Sequence, residues 1–139
     1  MNKLELILDD WSPYALSLLR IVAGFLFLQH GMQKLFGYPS ALPGGKPPLA
    51  SLYGVAGILE FFGGILIMLG LFTRPVAFLL SGQMAFAYFT VHAPLGFWPT
   101  KNQGESALLF CFVFLFLVFA GRGPWGIDAL LIERSRLHF

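Results

Sequence analysis

Five polar side chains interrupt the apolar stretches of this sequence, and their chemical types could bind a ligand or move protons. They are His30, Lys34, Glu60, Gln83 and Glu105. Histidine, lysine and carboxylic acids exchange protons, and a glutamine amide both donates and accepts hydrogen bonds. Within a membrane, an ionisable group near the centre costs roughly 2.5 to 3.5 kcal/mol, so such groups are expected to face inward and to pair. We therefore predict that the five converge on one pocket, in one half of a helix bundle.

Helical spacing supports this convergence. In the first apolar stretch, one helix face carries residues at steps of three and four, with His30 beside them: Arg20, Gly24, Phe27, Gly31 and Lys34. Glu60 stands midway along the second stretch, on a face shared with Gly57 and Gly64, where a neighbouring helix or a ligand can approach the backbone. Gln83 lies at a similar depth in the third stretch, and Glu105 begins the fourth.

Arg20 belongs to the other half of the bundle. It lies about 15 Å along the helix from His30, at a rise of about 1.5 Å per residue, so it needs a partner of its own. Asp128 or a phospholipid headgroup could serve. Arg20 and Asp128 are therefore candidates for a structural ion pair.

Simpler interpretations of three residues stay open. We predict that Lys34 pairs with Glu60 or Glu105, but a lysine near a helix end can also extend its ammonium to the membrane interface. Glu105 is favoured at a helix N-terminus by the helix dipole alone. Glu60 could be a neutral carboxyl group that is hydrogen-bonded for the specificity of the bundle.

Several classes of chemistry are excluded by the motifs. We find no GxGxxG, no phosphate loop, no HExxH and no Ser-His-Asp arrangement, so nucleotide use and hydrolysis are not expected. Cys111 is the only cysteine, which leaves no intrachain disulfide or thiolate cluster, and no metal site is predicted. No run of like charge indicates nucleic acid. No catalytic residue is assigned, and redox chemistry would need a cofactor or a partner.

The composition indicates an integral membrane protein. Of the 139 residues, 57% are hydrophobic and 12% are charged, and a bilayer-crossing helix needs about 20 largely apolar residues. We predict an all-α fold, an integral membrane antiparallel four-helix bundle. The whole chain, 1–139, forms one domain with spans at about 14–36, 50–72, 75–91 and 104–120. Proline-rich loops at 39–49 and 92–103 lie outside the hydrocarbon.

The basic residues predict the orientation. Four spans put both termini on one side, which would carry six basic residues: Lys3, Arg20, Arg74, Arg122, Arg134 and Arg136. The other side would carry three: Lys34, Lys46 and Lys101. Because basic residues accumulate on the cytoplasmic side, both termini are predicted to be cytoplasmic. The start of the chain is a poor match to a cleaved signal peptide, so the first helix is expected to stay.

A series of short motifs resembles the DoxX family of small bacterial membrane proteins over essentially the whole chain. The motifs are Arg20-x3-Gly24-x5-His30-Gly31-x2-Lys34-Leu35-Phe36-Gly37, Glu60-x2-Gly63-Gly64, Gly70-Leu71-x-Thr73-Arg74, Gly104-Glu105-x-Ala107-Leu108 and Gly121-x-Gly123-x-Trp125-x-Ile127-Asp128. The resemblance implies a four-helix protein of the bacterial inner membrane, and partnership with soluble redox enzymes in thiol and oxidative-stress handling. The family is named after a subunit of a thiosulfate:quinone oxidoreductase. Only the matching polar residues are carried over: Arg20, His30, Lys34, Glu60, Glu105 and Asp128.

Two functional hypotheses follow from the resemblance and the predicted pocket. In the first, the chain is the membrane subunit of a quinone- or thiol-linked redox system, whose outer-half pocket accepts a quinone or similar ring. His30 or Lys34 would donate to a carbonyl oxygen and Glu60 would relay protons. In the second, it is a non-enzymatic scaffold that docks a soluble redox enzyme or a membrane partner subunit, and a homo-oligomer is left open. A small-solute transporter is disfavoured, because inverted repeats are lacking. A ligand-sized cavity lined by the five polar residues would favour the first hypothesis.

Overall fold

All regular secondary structure is helical in the part of the chain that the computed structural model describes, residues 2–129 and residue 131. The α-helices are α1 (Lys3–Phe36), α2 (Leu52–Leu69), α3 (Thr73–Ala87), α4 (Pro99–Asn102) and α5 (Glu105–Ala120). After α3, a π-helical turn (Tyr88–His92) and a 3-10 turn (Ala93–Leu95) continue the helical path. The predicted all-α fold class is confirmed for these residues.

Three helical runs are long and apolar enough to cross a membrane: Lys3–Phe36, Leu52–Leu69 and Thr73–Leu95. A fourth apolar helix, α5, has 16 residues. Large apolar side chains stand exposed on all four, among them Phe25, Phe62, Phe78 and Phe119, as expected of a surface that faces lipid rather than water. The membrane character is therefore supported by the helices themselves, whereas a bundle of four antiparallel spans stays a prediction.

The first helix begins well before residue 14, where the first span was predicted to start. Asn2 and Glu5 form a capping box, in which the Asn2 side chain accepts from the Glu5 N–H at 2.9 Å and the Glu5 carboxylate accepts from the Asn2 N–H at 2.8 Å. With 34 residues, α1 is about 51 Å long, compared with about 30 Å of hydrocarbon. Its first turns, which carry Asp9 and Asp10, therefore extend beyond the apolar layer.

The other helices keep close to the predicted spans. Ser51 caps α2 by accepting from the Gly54 N–H at 3.1 Å, and Gly70 ends it in the left-handed region with φ 68°. The α-helix of the third span gives way to the π-helical turn at Tyr88 rather than continuing to residue 91. Gly121, with φ 81°, ends α5.

Glycines bring α1 and α2 into backbone contact. A Cβ on Gly24 would lie 2.6 Å from the backbone nitrogen of Met68, and one on Gly64 would lie 2.7 Å from the backbone nitrogen of Leu28. A Cβ on Gly31 would collide with the backbone of Phe61. Small residues at such crossings are how membrane helices pack without a hydrophobic driving force. The α1–α2 pair is thus set by three glycines.

The second pair is α3 with α5, and an aromatic cluster joins the two pairs. On α3, Ser81 donates its hydroxyl to the carbonyl of Cys111 on α5 at 2.9 Å. Phe27 of α1 is 1% exposed. Its ring centroid lies 5.1 Å from that of Phe110 and 4.8 Å from that of Phe114, both on α5. Through these contacts, the helix faces that carry the polar residues are turned toward one another.

Candidate functional site: a buried ion pair beside two cavities

The centre of the site is an ion pair between α1 and α2. Lys34 Nζ lies 2.5 Å from both carboxylate oxygens of Glu60, and Glu60 is 2% exposed. The predicted pairing of Lys34 with Glu60 is confirmed, and the alternatives in which Lys34 snorkels to the interface or pairs with Glu105 are wrong. Lys34 turns inward because the carboxylate compensates its charge at depth, as burial of an ion requires.

A glycine makes room for this pair. A Cβ on Gly57, one turn before Glu60, would lie 2.9 Å from the Cβ of Lys34. Without that Cβ, the lysine chain runs across α2 and reaches the carboxylate on the next turn. The sequence analysis predicts that a neighbouring group approaches the backbone at Gly57, on the helix face that carries Glu60. In the structure this group is the side chain of Lys34.

Gln83 of α3 adds a third polar group. Its Nε2 donates to Glu60 Oε1 at 3.2 Å and lies 3.4 Å from the carbonyl oxygen of Ala56. Its Oε1 is buried and has no hydrogen-bond partner among the described residues. Glu60 and Gln83 therefore meet at one depth, as predicted, and the cluster keeps one unused acceptor.

A cavity of about 430 Å³ lies beside this cluster, between α2 and α3. Lys34, Glu60 and Gln83 contribute charged and amide groups to its lining, Tyr53 and Thr90 contribute hydroxyl-bearing side chains, and the other lining residues are apolar. At its mouth, Phe78 is 69% exposed and Phe86 is 53% exposed. This space, here named the lateral cavity, thus opens on the apolar outer surface of the helices.

A second cavity, of about 220 Å³, touches the same ion pair and is here named the histidine cavity. Its lining includes His30, Phe27 and Phe110 in addition to Lys34 and Glu60. The His30 ring stands edge-on to Phe110 with centroids 5.8 Å apart, and the side chain is exposed at the rim. His30 therefore borders the pair without a hydrogen bond to any described residue.

Glu105 does not join the pocket, so this part of the prediction is wrong. It is exposed in the first turn of α5 and lines neither cavity. The interaction of a carboxylate with the positive end of a helix accounts for its position. The structure brings together His30, Lys34, Glu60 and Gln83, four of the five predicted residues.

Arg20 corrects a second prediction, because it binds carbonyl oxygens rather than Asp128. It is fully buried, with 0% exposure. Its Nη1 donates to the carbonyl of Ile67 at 2.5 Å and to that of Met68 at 2.6 Å, in the last turn of α2, where the regular helical hydrogen bonds end. Its Nε donates to the carbonyl of Arg122 at 2.8 Å, and its Nη2 donates to that of Trp125 at 2.5 Å. Arg20 thus ties α1 and α2 to the loop that follows α5.

Asp128 contributes to this region through its backbone, since its N–H donates to the carbonyl of Gly70 at 3.2 Å. No salt bridge joins its carboxylate to Arg20 in the described part of the chain. The negative end of the α2 dipole supplies the charge complement that a carboxylate had been expected to supply.

Sequence reasoning missed two residues. Tyr53 lines both cavities, and it lies seven residues before Glu60, a helical spacing that could have revealed it. Asn102, 1% exposed, donates to the carbonyl of Gly96 at 2.8 Å and accepts from the Gly104 N–H at 2.8 Å. No periodic signal marks Asn102, because its partners lie in an irregular loop.

The chain matches the family model described as DoxX over residues 15–93, a region that contains the ion pair and Gln83. It belongs to the DoxX family. A Haemophilus influenzae protein described as uncharacterised is 44% identical over 132 residues, which cover 92% of this chain and 96% of that protein. A Mycobacterium tuberculosis membrane protein is 29% identical over 139 residues, covering 88% and 85% of the two chains. An inner membrane protein of Escherichia coli is 30% identical over 123 residues, covering 83% and 90%. No solved structure matches the chain.

Proposed function

We propose that this DoxX-family protein is a membrane subunit that binds a quinone, or a similar ring bearing carbonyl oxygens, in the lateral cavity. The observation that carries the proposal is the cluster of Lys34, Glu60 and Gln83 at the inner wall of an apolar cavity that opens toward lipid. Its volume of about 430 Å³ falls within the usual range for small-molecule sites, roughly 300 to 1,000 Å³. A ligand dissolved in the bilayer could enter without passing through water.

The polar groups suit both redox forms of such a ring. An ammonium has three donors, so Lys34 can bond to Glu60 and still donate to a quinone carbonyl. The unused Oε1 of Gln83 can accept from a hydroquinone hydroxyl. Reduction of a quinone takes up two electrons and two protons. Glu60 exchanges protons with the ring in this proposal, and a partner oxidoreductase exchanges the electrons.

We place the protein in the bacterial inner membrane with four spans and cytoplasmic termini. The name of the Escherichia coli relative and the basic residues of the two sides support this placement. Arg134 and Arg136, which contribute to the count, lie outside the described residues. With this orientation, the lateral cavity lies in the outer half of the bundle.

Ligand binding by the purified protein tests the proposal. Short-chain ubiquinone and menaquinone analogues should raise the melting temperature of the wild-type protein saturably, and quinone should be extractable from protein purified from membranes. Phe78→Trp should abolish both effects by filling the cavity mouth. The matched variant Phe119→Trp should retain them, because Phe119 is 73% exposed and does not line the cavity.

Absence of saturable binding by the wild type, or equal binding by both tryptophan variants, would overturn the proposal. Stable copurification of a partner protein in that case would favour the scaffold hypothesis instead.

A further inference from the structure

A separate cavity lies at the opposite end of α2 from Leu52, where the chain turns from α2 into α3. It has a volume of about 530 Å³, and its lining combines the first turn of α3 with the segment after α5. The polar lining comes from Thr73, Arg74, Arg122 and Asp128. The lining thus carries two arginines and one aspartate, so the formal charge of these side chains is positive. This space is here named the basic cavity.

Thr73 gives this cavity an unused donor. The residue is 3% exposed, and its hydroxyl has no hydrogen-bond partner among the described residues. A buried hydroxyl without a partner is destabilising, and such groups in native proteins generally have a partner. Since Thr73 lines the basic cavity, a bound ligand is a natural source of the missing acceptor.

Arg122 gives the cavity a second unused donor. Its Nε is buried and also finds no partner in the described part of the chain, although its backbone carbonyl accepts from Arg20. Arg74 uses one guanidinium nitrogen to hold the carbonyl of Val118 at 3.0 Å, which leaves other N–H groups available. Both guanidinium groups therefore keep N–H groups that donate to no described residue.

The start of α3 also provides hydrogen-bond donors. No side chain of the described residues caps the start of this helix of 15 residues, and Pro75 in its first turn has no N–H. The N–H groups of Thr73 and Arg74 lie at the positive end of the helix dipole, before the first helical hydrogen bonds. Tetrahedral oxyanions such as phosphate are bound by donors of these kinds: backbone N–H groups at a helix N-terminus, arginine guanidinium groups and hydroxyl groups.

We propose that the basic cavity binds a phosphate group through Thr73, Arg74, Arg122 and the first turn of α3. Two sources share this chemistry, the headgroup of an anionic phospholipid and free phosphate. The exposed Phe72 and Leu131 on the lining would contact the apolar part of a lipid, while the polar side remains open to a soluble anion. The site is independent of the proposed quinone site, because the two cavities share no lining residue in the described part of the chain.

The test uses the full chain, delipidated in a phosphate-free non-ionic detergent, with two probes. Inorganic phosphate is compared with chloride at equal ionic strength, and phosphatidylglycerol is compared with phosphatidylcholine. Melting temperature reports stabilisation, and native mass spectrometry counts the phosphate or lipid molecules retained. We expect one anion per chain. Stabilisation by inorganic phosphate identifies a free-phosphate site, and stabilisation by phosphatidylglycerol alone identifies a lipid site.

Thr73→Val is the decisive variant. It removes only a hydroxyl that has no partner in the described residues, so the melting temperature without probe should be unchanged or higher. Affinity for the probe should fall about tenfold or more, since a hydrogen bond to a charged group is lost.

Arg122→Gln should weaken binding similarly, and Lys101→Gln, an equal change of charge at an exposed site in α4, should not. No stabilisation by either probe would overturn the proposal, as would wild-type affinity in both Thr73→Val and Arg122→Gln.

Discussion

At the scale of the residue, the buried Arg20 and the part-buried Lys34 are compensated in different ways. Lys34 uses the carboxylate of Glu60, whereas the partners of Arg20 among the described residues are four backbone carbonyls. Arg20 therefore adds rigidity to one end of the molecule, because its partners belong to the backbone and cannot titrate. Lys34 and Glu60 are both titratable side chains, and proton exchange with a ligand at this pair is part of the proposed function.

The ion pair makes a prediction for a double-mutant cycle. Lys34→Met should lower the free energy of unfolding by about 3 kcal/mol, the low end for a broken buried pair, because Gln83 still donates to the remaining carboxyl group. Combining Lys34→Met with Glu60→Gln should recover part of this loss, since no unpaired charge is then buried. Denaturant titration in detergent measures each variant. Strictly additive losses would show that the two side chains do not stabilise each other.

At the scale of the element, the glycines of α1 and α2 decide how closely the polar faces approach. Gly24, Gly31 and Gly64 place the two backbones in contact, and Gly57 admits the lysine chain. If the helices stood farther apart, Lys34 would no longer reach Glu60. Helix packing and the chemistry of the site therefore depend on the same few positions.

Gly31→Ala tests this dependence. The new Cβ would meet the backbone of Phe61, which cannot rotate away, so unfolding stability should fall by about 1 to 3 kcal/mol as in other overpacked contacts. Gly82→Ala is the matched control on α3, because a Cβ there meets no atom of the described residues within 4 Å. It should be neutral or slightly stabilising, since alanine favours helix. Equal melting temperatures of the two variants would contradict backbone contact at Gly31.

At the scale of the whole molecule, orientation determines which compartment each site faces. With cytoplasmic termini, the ion pair lies in the outer half of the membrane, and the basic cavity lies near the cytoplasmic surface. A cytoplasmic source of phosphate and the anionic lipids of that leaflet would both reach the basic cavity.

Cysteine labelling in intact cells measures this orientation. In a Cys111→Ala background, cysteines at the exposed positions Lys46 and Lys101 should react with a membrane-impermeant maleimide. A cysteine at the exposed Asp10 should react only after permeabilisation. The reverse pattern would invert the topology and would place the basic cavity outside.

Much of this protein follows from its sequence. Hydropathy over windows of about 20 residues located the helices, because a bilayer imposes length and apolarity on any span. Steps of three and four residues placed Lys34 and Glu60 on inward faces, and the cost of unpaired charge brought them together. The start of α1 was harder to predict from the sequence. The capping box at Asn2 extends this helix through a charged segment that hydropathy does not mark as a span.

Only the tertiary structure decided which partners the remaining polar residues find. Periodicity defines a helix face but not its rotation relative to a particular neighbour, so it could not exclude Glu105 from the pocket. The carbonyls that hold Arg20 include those of Arg122 and Trp125, 102 and 105 residues along the chain, in a loop without periodic pattern. The basic cavity likewise joins the start of α3 to the segment after α5. Such contacts depend on the path of the irregular segment after α5. The packing of the complete chain determines this path, and local residue spacing does not.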